Sequence, residues 1–115
     1  MSAWMKPAAV AAFRGEMSAA RAARGAGDLD AAFRHYERAH VIAQRHPWRH
    51  AQAHAGMLAV GIARRDLREV AGQLFRIPAA LTKSRLRVPR GNTGGANVSA
   101  FRPMPVPDDL AALID

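Results

Sequence analysis

The sequence predicts an all-α protein: two stacked antiparallel helical hairpins, four helices in all, followed by a Gly/Pro-rich irregular strap. Three observations carry this. Apolar residues recur at helical spacing in four successive stretches. Residues that stop and start helices fall between those stretches. From Val88 onward the pattern gives way to glycine and proline.

The first helix is predicted over 7–24. Pro7 suits its first turn, where the missing N–H is no loss, and Val10, Phe13, Met17 and Ala20 share one face before Gly25 and Gly27 end it. The second, over 28–45, starts at Asp28 as N-cap and is broken by His46-Pro47. The third covers 47–64. The fourth, 66–78, is capped by Asp66 and has Leu67, Val70, Ala71 and Leu74 on its apolar face; Pro78 should end it or kink it into an extension through Lys83. Glu69 lies opposite that face and reads as a first-turn residue favoured by the helix dipole. An irregular strap over 88–107 has Val98, Phe101, Met104 and Val106 to bury, and a short helix over 108–113 follows Asp108. The glycines of Gly91-Asn-Thr-Gly94-Gly95 suit positive-φ turns, since no Gly-Lys-Ser/Thr follows to make a phosphate loop.

An internal repeat supports the division: Asp28-Leu29-x-x-Ala32 recurs as Asp66-Leu67-x-x-Val70, and Arg38-Ala39 as Arg76-Ile77, at an offset of 38 positions. The segment Gly27 to Ala39 resembles the second helix of a tetratricopeptide repeat, although the spacing departs from the usual ~34 residues. Two such pairs are few for a peptide-binding solenoid.

At 115 residues the chain is one domain, 1–115, with room for a single modest core. Without cysteine there are no disulfides, no thiolate metal sites and no cysteine nucleophile, so any metal must be held by His, carboxylate, amide or Met. No stretch approaches the ~20 apolar residues of a membrane span, and a soluble cytoplasmic protein is expected. Seventeen basic against nine acidic residues give a formal charge of +8. The excess is concentrated in Arg64, Arg65, Arg68, Arg76, Lys83, Arg85, Arg87 and Arg90, which face only Asp66 and Glu69. Such a patch suits an acidic partner or a polyanion.

All five histidines fall between His35 and His54. On a helical wheel Leu29, Phe33, Tyr36 and Ala43 mark the apolar face of the second helix, and Glu37, His40 and Gln44 fall in the same sector. Polar groups facing an interior must be satisfied there. His50 and His54, four apart, project from one face of the third helix. If the chain reverses near Pro47, His40 and His54 lie equally far from the turn, about 10 Å along each axis at the helical rise. They should meet, with Gln44 level with His50 and Glu37 level with Met57. Glu37-x-x-His40 opposite His50-x-x-x-His54 is a pattern that binds a first-row divalent metal in helical bundles. Zinc is the first expectation, with copper, nickel, cobalt and iron as alternatives. The competing arrangement is a self-satisfied hydrogen-bonded network of the same residues. Around the expected ligands Glu37, His40, His50 and His54, further candidates are Glu16, Gln44 and His46, with Asn92, Thr93 and Asn97 orienting a ligand from the strap. His46 alternatively caps a helix, and His35 points outward to solvent.

Beyond these motifs, Glu37-Arg38-Ala39-His40, Gln44, His46, His50/His54, Arg65-Asp66-x-x-Glu69-x-x-Gly72-Gln73 and the tail from Val88-Pro89-x-Gly91-Asn92-Thr93-Gly94 through Val98-Ser99-Ala100-Phe101-x-Pro103-Met104-Pro105 resemble a small bacterial family, domain of unknown function 3703. That resemblance implies a bacterial source and no established activity.

Three functions compete. The first is a small metalloprotein in which Glu37 is either a fourth ligand or the general base beside a metal-bound water. The second is a tetratricopeptide-like adaptor for an acidic protein, with the histidines structural. The third is a nucleic-acid binder, disfavoured by the scarcity of aromatics for stacking. A homodimer could complete a coordination sphere across a two-fold axis.

Overall fold

The computed structural model describes residues 5–84 and 88–114. It is all helical: α1 (Pro7–Gly25), α2 (Leu29–Ala43), α3 (Pro47–Arg64), α4 (Leu67–Lys83) and α5 (Asp108–Ile114), with no strand among the described residues. The expected starts hold for chemical reasons. Pro7 and Pro47 occupy first turns. Asp28 accepts from the Ala31 amide at 3.1 Å and Asp66 from the Glu69 amide at 3.1 Å, each satisfying an amide that the helix start leaves open. His46 caps α3 through Nδ1, which accepts from the Arg49 amide.

Consecutive helices pack on one another, α1 on α2, α2 on α3 and α3 on α4, while α5 lies against α1 and α2. The apolar core joins Phe13, Met17 and Ala20 of α1 to Phe33, Tyr36 and Ile42 of α2, Ala53, Met57 and Val60 of α3, and Leu110 of α5. No residue of α4 belongs to it.

The fourth helix is where the structure corrects the sequence reading. It runs through Pro78 to Lys83, the extension that the sequence offered beside an end at Pro78. Pro78 is on the exposed side, where the lost backbone hydrogen bond is open to solvent. The helix's orientation is inverted. Leu67 is 81% exposed and Leu74 58%, whereas Glu69 and Gln73 are buried. The reason is that α4 covers His54 as well as Met57, and a polar face supplies the hydrogen bonds the imidazole needs.

Residues 88–107 contain no helix and return across α2 and α4. The Gln44 side chain donates to Pro89 O, Gln73 to Gly94 O, and Arg76 to Val98 O. Gly91 and Gly94 have φ of 80° and 87°, as turns of this hand require. Of the apolar groups expected to be buried here, Val98, Met104 and Val106 are half-buried, but Phe101 is 81% exposed.

Candidate metal centre

Three side chains converge between α2 and α3. His40, His50 and His54 are all buried, and each offers one ligand nitrogen, the three lying within 4.8 Å of one another. The Nε2 atoms of His40 and His50 are 2.8 Å apart, and those of His50 and His54 3.0 Å. The antiparallel turn at Pro47 produces this: positions 40 and 54 are equidistant from it, and their rings pack edge-on with centroids 4.6 Å apart.

Neighbouring groups set the proton positions. Gln73 directs its amide nitrogen at the Glu69 carboxylate (2.6 Å) and Gly94 O (2.9 Å), both of which only accept. Its Oε1 therefore faces His54 Nδ1 at 2.7 Å and accepts from it. Ser84 Oγ donates to Ala80 O, so it accepts from His50 Nδ1 at 2.7 Å. Both rings thus carry their proton on Nδ1, and both Nε2 atoms present lone pairs. With these tautomers the His50–His54 contact has no proton between its two nitrogens. His40 Nε2 faces His50 Nε2, and its buried Nδ1 makes no well-aligned hydrogen bond, with the Asn92 backbone beside the ring.

Burial keeps the rings neutral. It is the largest influence on all three: His50 is pushed down to about 3, with His54 adding to the effect, and His54 to about 4, with Gln73 opposing. His40 is lowered well below the ordinary imidazole value, by burial and then by His54 and His50. Neutral imidazole is the form that binds metals.

The other expected residues lie elsewhere. Glu37 is half-buried and outside the triad; its pKa is raised by burial, opposed by a hydrogen bond with Thr93 and reinforced by Glu69. Glu16 binds His35 (2.8 Å) and Arg38 (2.9 Å) on the outer side of α2, so His35 is paired rather than simply solvated. Gln44 is buried but turned to Pro89, and its backbone lies against His50. His46 caps α3. Asn92 touches the triad through its backbone, at His40, while its side chain holds the turn by donating to Ser99 O and Arg102 O and accepting from the Gly94 amide. Asn97 is exposed.

The sequence reading missed Gln73 and Ser84, which hydrogen-bond to His54 and His50, and it misplaced Glu69, which is buried and accepts from Gln73 and the Ala96 amide. Glu69, Gln73, Arg76 and Ala80 share one helical face, a signal available in the sequence. Within the basic patch Arg64 pairs with Asp30 and stacks over Phe33. Arg85 and Arg87 lie outside the described residues.

Fold and site together define a small all-helical protein with a buried three-histidine cluster between two of its helices. The chain belongs to the family described as protein of unknown function (DUF3703), whose sequence model matches residues 7–114. No curated protein and no solved structure matches it.

Proposed function

We propose that this protein binds a divalent transition metal through Nε2 of His40, His50 and His54. One observation carries the reading: Gln73 and Ser84 hold the His54 and His50 protons on Nδ1, turning two lone pairs toward each other at 3.0 Å. A shared cation resolves that contact, and outer hydrogen bonds of this kind are what fix metal-ligating histidines. Tetrahedral bonds of zinc to imidazole, ~2.0–2.1 Å, separate ligand nitrogens by about 3.3 Å, so the His40–His50 and His50–His54 pairs need to open only by tenths of an ångström while the triad, spread within 4.8 Å, draws in around the ion. All-imidazole ligation suits zinc first, then copper, nickel, cobalt or iron. With three protein ligands a fourth position is open, the arrangement of Lewis-acid sites.

The test is the elemental content of untagged protein purified without chelator, beside a His40→Ala/His54→Ala variant. Stoichiometric metal lost in the variant supports the reading. Metal-free wild type that takes up none of zinc, copper, nickel, cobalt or iron sinks it.

A second reading has one observation in its favour. Leu67, Leu74, Phe75 and Leu81 form an exposed apolar stripe on α4, as a tetratricopeptide-like interaction module would carry. It requires Leu74→Glu to abolish self-association or capture of a partner while metal content stays unchanged.

A further inference from the structure

A cleft of about 150 Å³ opens on the triad, with His40, His50 and His54 among its lining and Phe75, Arg76, Lys83 and Phe101 around it. We infer that this cleft binds a small organic carboxylate, which takes the open position on the metal; the inference rests on the metal reading above.

Charge is the first argument. No Asp or Glu lines the cleft. Three neutral imidazoles leave a divalent ion's charge uncompensated, and Arg76 and Lys83 add to it. Neither makes an ion pair among the described residues. The Glu69 carboxylate influences Arg76, but its oxygens accept from Gln73 and the Ala96 amide. Arg76 donates through one terminal nitrogen to Val98 O at 3.1 Å, and its Nε is buried with no hydrogen-bond partner. A buried donor left unpaired is costly, and a carboxylate is the acceptor that a guanidinium fits best.

Size and polarity give the rest. The volume lies below the ~300–1,000 Å³ of drug-sized pockets, which excludes nucleotides. Phe75 and Phe101 are 64% and 81% exposed, and Ala79, Ala100 and Pro89 extend the apolar wall. A bare inorganic anion would leave those groups wet, whereas a short hydrocarbon or aromatic body covers them.

The experiment uses the full chain loaded with cobalt(II), whose visible bands report the ligand set. It is titrated with butyrate, benzoate and inorganic phosphate, and repeated with Arg76→Gln, Lys83→Gln and Phe101→Ala. Butyrate and benzoate should shift the bands saturably, and phosphate should bind roughly tenfold more weakly, lacking an apolar body. Arg76→Gln should cost roughly tenfold or more in carboxylate affinity with cobalt retained. Because Arg76 also holds Val98, the rim variants Lys83→Gln and Phe101→Ala decide the matter independently, each weakening carboxylate binding. Bands indifferent to carboxylates, phosphate bound more tightly than benzoate, or rim variants equal to wild type would overturn the assignment and leave the metal site standing. A protein that takes up neither cobalt nor zinc, copper, nickel or iron overturns both.

Discussion

His50 and His54 present their Nε2 atoms to one another across 3.0 Å, while Ser84 and Gln73 accept the Nδ1 protons that would otherwise let the rings bond. Two lone pairs at that distance repel, and the surrounding structure holds them there. Loading the site with metal should therefore stabilise the fold. At a free metal concentration 100 times Kd the gain is about 2.7 kcal/mol, which for a domain of this size raises Tm by roughly 10 °C. Thermal scans with and without chelator check this, and a melting temperature insensitive to every metal tried would contradict it.

Ser84→Ala removes the acceptor that fixes the His50 proton, at little cost in volume. Metal affinity should fall roughly 10- to 100-fold, the usual effect of losing such an outer partner. Gln73→Leu should do the same to His54 and also strip Glu69 of a donor, so its stability loss should be the larger. Competition titration against a chromophoric chelator measures both; unchanged affinity in Ser84→Ala would show that tautomer control plays no part.

The metal-free protein should lose stability in acid over a window set by the triad. Its folded-state pKa values are lowered, to about 3 for His50 and about 4 for His54, against ~6.5 when unfolded. Between these limits the unfolded chain binds more protons than the folded one, so stability falls as pH falls. It should be flat above pH 7 and decline below about 6.5, through the range near 4 and 3 where His54 and His50 take up their protons in the folded state, with His40 extending the decline further. Urea unfolding of chelated protein across that range tests the slope, and His50→Gln/His54→Gln should reduce it to the part contributed by His40.

Gly94 rests against His40. A Cβ there would come within 2.7–2.9 Å of the imidazole, at a φ of 87° that side chains rarely adopt. Gly94→Ala should destabilise the fold by ~1–3 kcal/mol through backbone strain and displace the ring. Metal affinity and Tm should fall together. A variant that melts lower yet binds metal normally would separate the turn from the site.

The clustering of the three histidines was legible because helix geometry alone brings positions 40, 50 and 54 together once Pro47 reverses the chain. Glu37 shares their helical sector but lies a turn away, where its side chain hydrogen-bonds with Thr93. The fourth helix was misread for a different reason. Periodicity separates its two faces without saying which is inside, and the rule that apolar residues face inward fails where the neighbouring surface is polar. Placing Gln73 and Ser84 required knowing that histidines lay beneath them. Phe101 was likewise expected in the interior, and its position at the mouth of a cleft has no signature in local sequence.

The exclusion of α4 from the apolar core bears on the order in which the molecule assembles. Helices α1, α2, α3 and α5 share one hydrophobic cluster and can condense by unspecific collapse. The fourth is held by directional bonds to imidazoles and to the returning chain, and these form only once their partners are in position. Its amides should therefore exchange with solvent through a partial opening well below the global unfolding free energy. Metal, by stiffening the rings it ligates, should slow that exchange in α4 more than in α1.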